Sequence, residues 1–153
     1  MTQLFFQKAV IIIFTTITAL GIAGASHAHD AGATMDPEGN IASFTGYAQV
    51  TCFNDGNGSA HRLVASVQDI SLPQANLFVN LQMIKGVNAI STTDPVSGDG
   101  VPSPEVSIAG GDGVYLLLVN KTGPGPRSFI VSYHCMTINN AHTGTDIRVN
   151  QFQ

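Results

Sequence analysis

Beyond residue 28, the side chains able to do evident chemistry are four histidines, His29, His61, His134 and His142, and two cysteines, Cys52 and Cys135. His29 matters most. A cut between Ala28 and His29 makes this histidine the first residue, and its α-amine and imidazole then form a chelate that one more imidazole, from His134 or His142, completes for copper. A cut after Ala25 starts the chain at Ser26 instead, and no terminal chelate forms. The two cysteines form an even set in a small exported chain, which predicts a Cys52–Cys135 disulfide. Closing a loop of about 83 residues removes roughly 4 to 5 kcal/mol of unfolded-state entropy in the chain model.

The His29 chelate resembles the histidine brace of copper-binding periplasmic proteins and copper oxygenases, a resemblance that covers this one residue. Tyr133-His134-Cys135, followed by His142 and the segment with Ile147 and Val149, is similar to the copper loop of cupredoxins, which are exported β-sandwiches. That resemblance implies a Cys135 thiolate with His61 and His142 as copper ligands. The chain departs from it in two ways: Met136 directly follows the cysteine with no methionine after His142, and Cys135 must give up Cys52. A softer arrangement keeps the disulfide and leaves His134 and His142, with His29, as an all-nitrogen site. Tyr133 and Cys135 also match the Tyr-x-Cys of immunoglobulin domains. The chain has no Trp, so this supports a sandwich and nothing finer.

Other chemistries find less support. Asp55, Asn57 and Ser59 place oxygen donors at alternate positions, as at the start of a calcium loop, but no glutamate closes the loop, and turn capping accounts for them. Asp94, Asp99 and Asp112 stand in Gly-rich loops and read the same way. There is no Gly-x-Ser-x-Gly elbow, His-Glu-x-x-His pair or phosphate-cradling glycine loop. The glutamates are Glu38 and Glu105 only, so a hydrolase built on paired carboxylates is a poor fit. Once Lys8 has left with the leader, Arg62, Lys85, Lys121, Arg127 and Arg148 face ten carboxylates. Such a balance repels phosphate backbones and excludes nucleic-acid binding. Charged residues make up 10 % of the whole chain, against about 25 % in ordinary soluble domains. A surface so poor in charge suits a protein that packs against neighbours or meets neutral ligands.

The address and the scaffold come from the rest of the chain. Lys8, the apolar run from Ala9 to Leu20 and the small residues Gly21 to Ala28 have the form of a secretory signal. The apolar run is shorter than the ~20 residues that span a bilayer, so no transmembrane segment is expected in the mature chain. Residues 29–40 show no apolar period and read as a mobile arm. From Phe44 the chain alternates, with Phe44, Gly46, Ala48, Val50 and Cys52 on one face, as in a half-buried strand. Turn chemistry at Asn54 to Ser59 follows. Further strands are predicted at 62–70, 76–84, 87–92, 106–109, 114–119, from Arg127 to Cys135, and at 145–152. The run 114–119 is continuously apolar and reads as covered on both faces.

The sequence thus predicts an all-β fold: an antiparallel β-sandwich of about seven to eight short strands with one disulfide. It occupies residues 41–153, after a signal peptide at 1–28 and an arm at 29–40. The functional expectation is an exported, non-catalytic binding or assembly module in the periplasm or at the cell surface. Its partners are other envelope or cell-surface proteins, or its own subunits. The alternative is a copper-binding protein using His29 with His134 or His142.

Overall fold

The computed structural model describes residues 29–153; the expected signal peptide lies outside the described residues. Nine strands and no helix are found among them: β1 (His29–Met35), β2 (Thr45–Phe53), β3 (Arg62–Asp69), β4 (Val79–Lys85), β5 (Asn88–Asp94), β6 (Val106–Ala109), β7 (Gly113–Lys121), β8 (Arg127–Met136) and β9 (His142–Phe152). All pairings are antiparallel, and the hydrogen-bonded order is β5-β4-β7-β2-β9-β8-β3-β6, with β1 also on β8.

The all-β expectation holds, with one correction. The sheet is continuous and nearly closed into a barrel, where two separate sheets were expected. Strand β9 is the reason. It pairs with β8 only at Cys135–Thr143 and Met136–His142, then leaves and runs along β2. At the departure point stands Gly144. A Cβ there would lie 2.7 Å from the Phe53 carbonyl oxygen and inside the Phe53 ring, so glycine lets β9 turn the corner in close contact with β2. The path ends, β5 and β6, approach each other where the Thr92 hydroxyl donates to the Pro104 carbonyl at 2.9 Å.

A second difference concerns residues 29–35. Read as part of a mobile arm, they form β1 and take the edge of β8 that β9 has vacated, in register from His29 opposite Tyr133 to Met35 opposite Arg127. Strand β7 also differs from expectation. Tyr115, Leu117 and Val119 are buried, but on the other face Val114 is 46 % exposed and Leu116 and Leu118 are only half-buried, so that face is covered in part.

Period-two alternation builds the core as expected. Val50 and Cys52 on β2, Leu81 and Met83 on β4, Tyr115 on β7, and Val131, Tyr133 and Cys135 on β8 all point inward. The predicted disulfide is present, with Cys52 and Cys135 5.6 Å apart at Cα. It joins the layer containing β2 to the layer containing β8, next to the corner made by β9.

Two pairs of charged side chains sit in this interior, Lys121 with Asp36 and Arg127 with Asp69. Lys121, at the end of β7, gives its ammonium to Asp36 at 2.8 Å and to the carbonyls of Ile41 and Gly123. Asp36 also accepts backbone N–H groups of Asn40, Ile41 and Gly125. Burial alone would raise the Asp36 carboxyl. The Lys121 ammonium and these N–H groups outweigh burial and hold it below the ordinary carboxylate range. Arg127 is buried likewise, donating to the Leu72 carbonyl and the Gln74 side chain, with Asp69 at 3.8 Å.

Candidate functional site

Where β1 and β9 separate, the two layers are incompletely filled. A cavity of about 330 Å3 lies between them. Its walls are Ala31 and Ala33 of β1, Gly46 and Ala48 of β2, Leu117 and Val119 of β7, Phe129 and Val131 of β8, and Ile147, Val149 and Phe152 of β9. The room comes from missing side-chain volume. At four inward positions, two on β1 and two on β2, the chain carries only alanine or glycine. Gly46 serves a further purpose, because the Phe152 ring packs where its Cβ would be, with ring carbons at 3.2 and 3.3 Å. Phe152 also meets Phe44 edge-on at 5.0 Å between centroids and lies 6.3 Å from Phe129.

The cleft is bordered by backbone edges. Among the described residues, strand β1 pairs only with β8. Past Thr143, and among the described residues, the backbone of β9 pairs only with β2, although the Thr145 hydroxyl still accepts the Cys135 N–H of β8 at 3.0 Å. Each therefore presents a row of N–H and C=O groups on the side facing the cleft. Val149 is 61 % exposed at this border. The arrangement can take an extended chain, with backbone pairing along an edge and apolar side chains in the cavity. Among the described residues no helix is long and apolar enough to cross a membrane.

The structure separates the predicted histidine ligands into two groups. His134 and His142 come together, with rings stacked 4.8 Å apart at 28°. His142 stands on β9, one pairing from the corner, where a loop position was expected. The His134 Nδ1 is buried without a hydrogen-bond partner. Burial pushes the His134 imidazole below its usual value, the nearby charges of His142 and His29 add to this, and Glu105 and Asp30 oppose it. His29 lies opposite Tyr133 and stacks on its ring at 6.0 Å. Cross-strand partners share a face, so His29 is on the face opposite to His134. Among the described residues there is no group of three or more His, Cys, Asp or Glu able to hold a metal. The disulfide also occupies the Cys135 sulfur, which rules out the thiolate ligand implied by the cupredoxin resemblance. His61, expected as its upstream imidazole, lies just before β3 and is exposed.

Sequence reading did not find the cleft as a site. Its signal was present in the small residues Gly46 and Ala48 inside an otherwise bulky inward series. Comparison with protein-family models, with curated proteins and with solved structures finds no match for this chain.

Proposed function

We propose that this chain is an exported, non-catalytic binding or assembly module that works through the apolar cleft and its bordering strand edges. The observation that carries the reading is the coincidence of two features at one place: an apolar cavity of about 330 Å3 and the edges of β1 and β9 that no other strand pairs among the described residues. Strand addition uses both, since main-chain hydrogen bonds supply affinity and alternate side chains fill the cavity. The low charge of the chain is consistent with close approach of a protein partner. The test is sedimentation of the exported protein over a wide concentration range, with capture of envelope proteins on the immobilised chain. Self-association or a specific envelope partner, weakened by Ala48→Leu, supports the reading. A strict monomer that retains nothing ends it.

Copper binding is the second reading, favoured by the stacking of His134 on His142 and by the buried, unpartnered Nδ1 of His134. Imidazole suits copper well. Calorimetric titration with Cu2+ tests it. Binding lost in His134→Ala and His142→Ala supports the pair, and further loss in His29→Ala brings in the terminal chelate. Equal affinity in all three variants removes copper.

A further inference from the structure

We infer that β1 is an exchangeable strand, and that the groove it occupies on β8 is filled in the assembled protein by β1 of a second copy. The inference rests only on the assembly part of the reading above: its partner is a second copy seated in the β1 position on β8, which leaves the cavity as it is.

Four observations lead to it. First, β1 adds little apolar burial to its backbone pairing and to the side-chain contacts of His29, Asp30 and Thr34 with Tyr133, Ser132 and Ser128. Of its seven residues only Met35 is fully buried, and Ala31 is half-buried. Second, β1 fills its groove poorly, because Ala31 and Ala33 leave the cavity beneath them. Third, beyond the buried Met35 side chain, the body's polar grip on the chain begins at Asp36. Asp36 is fixed by Lys121 and by the N–H groups of Asn40, Ile41 and Gly125 at 2.8 to 3.0 Å. Everything upstream can leave without disturbing that anchor. Fourth, the fold-back that lays β1 on its own β8 depends on a strained residue. Asp36 has φ +49°, a left-handed conformation that Asp tolerates better than most non-glycine residues but that still costs more than extended backbone. Relaxing Asp36 to extended backbone aims residues 29–35 away from the body.

A second copy's β1 is identical, so it restores the same register on β8, from His29 opposite Tyr133 to Met35 opposite Arg127. The hydrogen bonds lost on leaving are regained on exchange, which is why swapping an identical element is a low-cost route to association. Each copy then offers one donor strand and one acceptor groove. Reciprocal exchange closes a dimer, and sequential exchange extends a chain.

Thr34 and Ser128 supply the test. They are register partners on the outer face, with hydroxyls 2.7 Å apart, and the native cysteines are already bonded to each other. Exported Thr34→Cys protein and exported Ser128→Cys protein, the latter carrying a mass tag, are mixed, incubated and oxidised. Peptide mapping then reads the disulfides. Exchange yields the mixed Thr34–Ser128 cross-link in roughly tenfold or greater excess over like-with-like dimers, because only the mixed pair is held in register. The doubly substituted chain, oxidised as a monomer, locks β1 onto its own body and must then fail to assemble until reduced. If mixed dimers stay at the like-with-like level while wild-type protein still self-associates, exchange is wrong and assembly through the cleft stands. If the wild-type protein also stays monomeric and captures no partner, both readings fall.

Discussion

Replacing Ala48 by leucine tests whether the cleft exists as open space in solution. Ala48 points inward from β2, opposite Leu117 on one side and Val149 on the other, and lines the cavity of about 330 Å3. Leucine adds three carbons. At about 0.8 kcal/mol per buried carbon, full burial would stabilise the fold by about 2.4 kcal/mol. The cleft is open between β1 and β9, so about half of that, ~1.2 kcal/mol, is the expected gain. For a domain of this size the melting temperature should rise by about 3 to 5 °C. Urea unfolding is the assay, followed by tyrosine fluorescence, since Tyr115 and Tyr133 are buried and there is no Trp to mask them. The same substitution should weaken self-association or partner capture, because it fills the space a guest chain needs. A midpoint that is unchanged or lowered, at unchanged slope, would refute the reasoning. It would mean that the layers already touch and that leucine overpacks them.

Three other outcomes are expected. The double substitution Cys52→Ala, Cys135→Ala should lower stability by about 4.5 kcal/mol, the chain-entropy value for a separation of 83 residues, read from urea midpoints against wild type; a loss below about 1 kcal/mol would set that model aside. The Asp36 carboxyl is held below its ordinary value of 3.8, so its contribution is fully present above that pH and fades as pH falls below it. Unfolding midpoints measured through this acid range should drop for wild type and drop less for Asp36→Asn. Finally, Gly144→Ala should cost about 1 to 3 kcal/mol of stability, because the new methyl meets the Phe53 ring and carbonyl, and thermal melts will show whether it does.

What could be read from the sequence depended on where each element's stability comes from. Strands β2 and β8 declared themselves through alternation, since their inward residues are apolar and their register is set by burial. So did the disulfide, because both cysteines end an inward series. Strand β1 gave no signal. Its sequence His-Asp-Ala-Gly-Ala-Thr-Met carries little apolar volume, and it is stabilised by the neighbouring backbone, which composition does not record. The path from β8 across to β2 was equally hidden, because it depends on Gly144 meeting Phe53 across some 90 residues. The burial of Lys121 followed from a partner 85 residues away. The cleft arises from absent side-chain volume, and a hydrophobic pattern scores alanine and leucine alike as inward. The histidines were visible as residues, but whether they meet is a matter of strand parity, which required the register of β1.

The disulfide and the Asp36–Lys121 pair sit at opposite ends of the cleft. Along β2 and β8 the cysteines come four residues after Ala48 and Val131, and on β1 and β7 the ion pair follows soon after Ala33 and Val119. One covalent and one ionic pillar thus hold the two layers at fixed separation, which is why an underfilled interior does not simply collapse. Such a preorganised gap spares a guest the cost of prising the layers apart. On the proposed binding reading, a guest added along the free edges would need no opening of the layers, whereas exchange of β1 first requires that strand to leave β8.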